Sequence, residues 1–183
     1  MDQESGVPQP VGQAPVSTVV SGVTKGPQAA ATALAPVPAA VSGQLRYAAE
    51  IKRLTCCPPT DAQALNIVGF RFAFEDLEHR DNYLPLAKIT PERAIAGQPV
   101  TECCTGYSLS VFNSLDALAS RARKVLKTSP QFLRRVGDHF VQLKITAEAG
   151  ICTAPNNSGH FDLFELDTFS CRGAVLVHER LPL

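Results

Sequence analysis

Between residues 103 and 127 the alternation of apolar and polar side chains changes period, and the change marks the best-defined unit of the chain. Tyr107, Leu109 and Val111 alternate with Ser108, Ser110 and Phe112, the period of a strand with one apolar face and one hydroxyl-bearing face. From Leu115 the apolar positions move to helical spacing. Leu115, Leu118, Ala119, Ala122, Val125 and Leu126 form one stripe, with Arg121, Arg123, Lys124 and Lys127 off it. Asn113 or Ser114 is placed to cap this helix, and the basic residues gather near its C-terminal end, where the macrodipole favours cations. The pattern predicts strand, cap and helix.

The same reading extends along the chain. Leu45 to Leu54 carries short helical spacing and is stopped by Cys56-Cys57-Pro58-Pro59. Phe70, Phe72 and Phe74 alternate with Gly69, Arg71 and Ala73, which predicts a strand with Arg71 projecting opposite the phenylalanines. Asp81-Asn82 has turn chemistry. Thr90-Pro91 matches a cap-plus-proline helix start that Gly97 and Pro99 would end, and Ser129-Pro130 repeats it for a helix through Phe132, Leu133 and Val136, closed by Gly137. Val141, Leu143 and Ile145 alternate with polar neighbours, Glu148-Ala149-Gly150 turns the chain, and Pro155 to Gly159 is a loop. His160 to Leu166 and Ala174 to His178 complete the strands. Strands that follow the helices in runs predict an α+β domain over residues 44–183, a mostly antiparallel mixed sheet with a few packed helices, rather than a doubly wound fold.

Composition separates off the N-terminal part. Residues 1–43 are built of Pro, Ala, Val, Gly, Gln and Ser, with only Asp2, Glu4 and Lys25 charged and no aromatic residue. Such a segment buries too little surface to offset its ordering entropy, so it reads as a disordered tail or linker, with a docking or export segment as the functional alternative. Across the whole chain 17 basic residues balance 17 acidic ones, which excludes a global field for nucleic acid or anionic lipid. The cationic residues Arg121, Arg123, Lys124, Lys127, Arg134 and Arg135 have no interleaved aromatic platform and read as a solvated helix face. No segment approaches the roughly 18 apolar residues of a membrane span, and the start shows no signal-peptide core. The expectation is a cytoplasmic protein, with secretion by a signal-less route left open.

Cys56-Cys57, Cys103-Cys104, Cys152 and Cys171 lack the Cys-x-x-Cys or His-x-x-x-His spacing of a zinc site. They are expected to be reduced thiols acting as small core residues, with no metal.

Three groups carry candidate chemistry. Arg71, the Tyr107-Ser108-Leu109-Ser110 run and Glu165 form the first. Ser158-Gly159-His160-Phe161-Asp162 forms the second: His160 and Asp162, two apart on a strand, share a face, so His160 could serve as base or ligand with Asp162 beside it, and Ser158 could be imagined as nucleophile. The alternative is a histidine that closes a turn through hydrogen bonds to the loop. The third is a metal or redox site if Cys103, Cys104, Cys152, Cys171 and His160 converge in space, small core thiols being the alternative. Within the first group, strict alternation puts the Glu165 carboxylate on the apolar face of Phe161 and Leu163, where it needs a partner.

In order and separation, Arg71, Ser108-Leu109-Ser110 and Glu165 resemble the arginine, serine-x-serine and glutamate arrangement of the arginine-serine-glutamate class of ADP-ribosyltransferases. That resemblance implies NAD as substrate, with Arg71 holding its phosphates and Tyr107 beside it, Ser108 and Ser110 ordering the site, and Glu165 stabilising an oxocarbenium-like transition state. Glu165-Leu166-Asp167 departs from the family's pair of acids. More broadly, the run from Cys104 to Phe164, including Gly-Tyr-Ser-Leu-Ser-Val-Phe and Gly-His-Phe-Asp-Leu, resembles small bacterial domains of uncharacterised activity and implies a bacterial source. Two functions follow as expectations. One is a binding or interaction module with a protein partner, part of a defence or toxin-related system; the other is an NAD-consuming enzyme using Arg71, Ser108 and Glu165.

Overall fold

The computed structural model describes residues 43–183, and the tail expected over residues 1–43 lies, up to residue 42, outside the described residues. Among these, the strands β1 (Ile67–Ala73), β4 (Leu109–Phe112), β5 (His139–Ile145), β6 (Gly150–Cys152), β7 (His160–Glu165) and β8 (Val175–Arg180) form one sheet in the order β6-β7-β4-β1-β5-β8. The α+β expectation holds, and every pairing in the sheet is antiparallel. Strands β2 (Ala94–Ile95) and β3 (Gln98–Pro99) form a separate hairpin. The helices are α1 (Ala48–Ile51), α2 (Leu86–Ile89), α3 (Leu115–Leu126) and α4 (Phe132–Val136).

The registers define two faces. Leu109 lies opposite Leu163, Val111 opposite Phe161, and Arg71 opposite Val141, so these side chains share one face. There Leu109, Val111, Val141, Leu143, Ile145, Phe161 and Leu163 are each 1% exposed or less. The second face carries Phe70, Phe72, Phe112 and Phe140, packed beneath Leu118, Ala119 and Ala122 of α3. Gly69 makes the first face close-packed: a β-carbon there would collide with the side chains of Val111 and Ile145. Gly137 has φ +91°, and a β-carbon at that position would overlap the Ala73 carbonyl, so glycine alone turns α4 into β5 against β1.

Helix α3 starts where its sequence places it. The Ser114 hydroxyl accepts a hydrogen bond from the Ala117 N–H at 3.2 Å, which satisfies one of the free donors of the first turn. The helix expected after Thr90-Pro91 does not form. Instead α2 ends at Ile89, and Ala96 (φ +50°) with Gly97 (φ +85°) closes the two-residue turn between β2 and β3. Positive φ at both central positions is the geometry that matches strand twist in a short hairpin, and it overrides the helix-start signal.

A third apolar cluster, Ile51, Ala87, Val100 and Tyr107, joins the N-terminal helices to the turn before β4. Tyr107 is buried as expected, but it ends a 3-10 turn, Cys104–Tyr107, and the strand begins only at Leu109. Here the expectation of six reduced thiols fails: Cys57 and Cys104 are joined by a disulfide with their Cα atoms 5.4 Å apart. The two residues are 47 positions apart and meet only because the third cluster brings their loops together. Cys152 and Cys171 are buried free thiols, as expected of small core residues.

Leu118 is fully buried between α3 and the sheet. Leu118→Ala should therefore destabilise the domain by about 3 kcal/mol, and Ser114→Ala by about 1 kcal/mol, in urea unfolding read at unchanged m-value. A Leu118→Ala loss below about 1 kcal/mol would show that α3 does not close the second face.

Candidate functional site

Strand pairing separates the first candidate group. Arg71 and Glu165 lie on the first face, with Val141 and with Phe161 and Leu163 respectively, whereas Ser108 and Ser110 lie on the second. Each of the three guanidinium nitrogens of Arg71 donates to a backbone carbonyl. Its Nε donates to the Asn82 carbonyl at 2.9 Å, Nη1 to the Ser110 carbonyl at 3.0 Å and Nη2 to the Leu84 carbonyl at 2.9 Å. The guanidinium thus ties β1 to the loop after it and to β4. The Tyr107 hydroxyl donates to the Thr101 carbonyl at 3.1 Å while its ring fills the third cluster. The sheet thus stands between Arg71 and Glu165 on one face and Ser108 and Ser110 on the other.

Glu165 is 2% exposed, and its partner is one that sequence reasoning missed. Arg46 Nε lies 3.1 Å from Glu165 Oε1, outside hydrogen-bond alignment, so both carboxylate oxygens are buried without a hydrogen bond. Burial pushes the Glu165 carboxyl up to about 7, while the Arg46 and Arg71 charges pull it the other way. Arg46 also donates to the Phe169 carbonyl and bridges to the segment after β7. The alternation that puts an acid among Phe161 and Leu163 signalled the need for a cation. Which cation answers it depends on Leu45 pairing with Leu166, a contact far apart in sequence.

The second face gathers residues from two candidate groups. Ser110 lies opposite Asp162 and Phe112 opposite His160, so β4 and β7 present four polar side chains together. The Ser110 Oγ and His160 Nε2 are 2.7 Å apart, and the Ser108 hydroxyl donates to Asp162 Oδ1 at 2.5 Å. Ser108 is buried and Ser110 is exposed. Burial lowers the His160 pKa, the nearby Asp162 charge raises it, and Arg121 and Arg71 lower it further. The imidazole is thus biased to its neutral form, with its ring edge-on to Phe112 at 5.2 Å. Neutral imidazole can exchange a proton with the Ser110 hydroxyl. It lacks the carboxylate that would orient it in a triad, because Asp162 accepts from Ser108 instead.

Ser158 does not join this group. Its hydroxyl and its N–H both donate to Asn156 Oδ1, which also accepts from the His160 N–H at 3.2 Å, so this side chain knots the loop. Just beyond the His160 and Phe112 pair, the Asn113 N–H donates to the Gly159 carbonyl at 2.8 Å. A groove of about 590 Å³ opens there between α3 and the loop, lined by Asn113, Asp116, Arg121, Lys124, Asn156 and Asn157 among others. Arg121 and Lys124, expected as part of a solvated helix face, are exposed at this groove. Among the described residues no cluster of three or more His, Cys, Asp or Glu side chains is placed to hold a metal ion, and no helix is long and apolar enough to cross a membrane. Compared with protein-family models, curated proteins and solved structures, the chain matches none.

The buried carboxyl has a measurable consequence. With a folded pKa near 7 and an ordinary value of 4.5, the folded state binds the Glu165 proton more tightly than the unfolded chain does. Its contribution to stability is present in full below the ordinary value and is lost as pH rises through the folded one. Between about pH 4 and about pH 8, wild type should lose about 3 kcal/mol relative to Glu165→Gln, measured by urea unfolding at each pH. A difference that stays flat across that range would mean that Arg46 and Arg71 fully compensate the burial.

Proposed function

We propose that the chain is a binding module that holds an acidic segment of a protein partner at the groove between α3 and the 156–159 loop. The observation that carries this reading is the polar patch of Ser108, Ser110, His160 and Asp162, continuous with a groove that presents Arg121 and Lys124. Paired serine, histidine and aspartate side chains give directional hydrogen bonding, and Asn113, Asn156 and Asn157 add donors and acceptors at the rim. Arg121 and Lys124 supply the field that favours carboxylates, with Asp116 the acid on the same lining. Recognition suits this arrangement better than catalysis, since Asp162 accepts from Ser108 and does not orient His160.

The NAD-consuming alternative draws no comparable support, because the carbonyls of Asn82, Leu84 and Ser110 occupy the guanidinium that would bind phosphate. Purified protein should leave NAD unconsumed, and Glu165→Gln should behave identically; NAD loss abolished by that substitution would reinstate the enzyme reading.

A photo-crosslinking residue at Asn157 should capture a partner, and one at Lys144 on β5 should not. The double substitution Arg121→Glu and Lys124→Glu should weaken the captured complex at least about tenfold, and added salt should weaken the wild-type complex in the same direction. Equal capture from both positions, or affinity indifferent to charge reversal, would sink this proposal.

A further inference from the structure

The bridge between Cys57 and Cys104 is flanked by two free thiols. Cys56 is exposed, with a φ of 54° in the left-handed region, and Cys103 is partly exposed, its thiol donating to the Pro99 carbonyl at 3.4 Å. A disulfide that serves only as a staple uses two cysteines. Here each bridged sulfur has an unpaired one beside it in sequence, and both of these free thiols reach solvent. Where thiols are kept reduced, disulfides are characteristically transient and exchange with other thiols.

The surroundings are open to a reactant. A groove of about 780 Å³ lies against the bridge, and both Cys103 and Cys104 line it. Arg53 and Glu102 stand exposed on its rim, and neither forms an ion pair among the described residues. Thr101, Thr105 and Gln98 add polar groups. A cation for a carboxylate, an anion for an ammonium group and hydrogen-bonding side chains between them match a zwitterionic peptide thiol.

From this the geometry points to a thiol–disulfide exchange site, with Cys104 as the sulfur attacked and a low-molecular-weight peptide thiol as co-reactant. The thiol enters as its thiolate, having lost its proton to solvent, and attacks Cys104 Sγ. The bond between Cys104 and Cys57 breaks, and Cys57 Sγ leaves with the electron pair and takes up a proton. A second molecule of thiol then attacks the peptide sulfur of the mixed disulfide and releases Cys104 as thiolate. Two thiols are oxidised to one disulfide as one protein disulfide is reduced, and the oxidised peptide disulfide drives the reverse sequence. Cys104 is the attacked sulfur because it lines the groove, whereas Cys57 packs against the third apolar cluster.

Glutathione, reduced and oxidised in defined ratios, is the probe. The native full-length protein is equilibrated with it, trapped by alkylation and mapped by peptide mass spectrometry. The expected result is a glutathionyl adduct on Cys104 and a free Cys57 thiol, both rising with the fraction of reduced glutathione. Arg53→Ala should slow adduct formation about tenfold, a factor typical of one charge-assisted contact. Because Cys104→Ser removes the bridge and can unfold the domain, the double variant Cys56→Ser and Cys103→Ser supplies the second arm: it keeps both bridged sulfurs and should still form the Cys104 adduct. A bridge that stays intact until urea unfolds the chain would overturn the proposal, as would adducts confined to Cys56 and Cys103.

Discussion

The guanidinium of Arg71 is the interaction on which the first face of the sheet depends. Strands β1 and β4 share a single registered pair, Phe70 with Phe112, and then part. Where they part, Arg71 donates to the Ser110 carbonyl on one side and to the Asn82 and Leu84 carbonyls on the other. Three backbone acceptors are satisfied by one side chain, whose charge also acts on Glu165 and Cys171. Asn82, 1% exposed, completes the junction by accepting from the Phe74 N–H and donating to the Asp76 carbonyl. An arginine suited to a phosphate is thereby made a strut, since five fixed donors match clustered carbonyls as well as they match an anion.

The sheet then divides the chemistry. Cations and the buried acid are collected on the first face, in low-dielectric surroundings where they act on one another. Hydroxyls, imidazole and a second carboxylate are collected on the other, where the Ser110 side chain reaches solvent. This division is a consequence of period 2: Arg71 and Glu165 are at positions that fall with the core residues, while Ser108, Ser110, His160 and Asp162 fall on the opposite side. The polar end of that face is also the end next to the groove with Arg121, so hydrogen-bonding groups and a local positive charge coincide without any global excess of charge in the chain.

The N-terminal helices have a different dependence. Helix α1 has four residues and cannot persist by its own hydrogen bonds; it is held by Ile51 in the third cluster and by the covalent tie nearby. The bridge and its flanking thiols therefore sit at the place where local structure is weakest and covalent chemistry matters most. The ion pair of Lys88 with Glu50 adds a surface contact between α1 and α2.

The sequence by itself determined the long periodic elements. The stripe of Leu115, Leu118, Ala119 and Ala122, the Ser114 cap, the β1 phenylalanines opposed to Arg71, and the loop before His160 were legible because each rests on contacts within a few residues. It also showed that Glu165 faces the core. Only the tertiary structure decided which partners answer those signals: Arg46 for Glu165, the Asn82, Leu84 and Ser110 carbonyls for Arg71, Ser110 for His160, and Cys104 for Cys57. It also replaced the helix expected after Thr90 with a hairpin. Each of these depends on segments that meet across tens of residues, and periodicity reports which face a side chain occupies but not what stands opposite it.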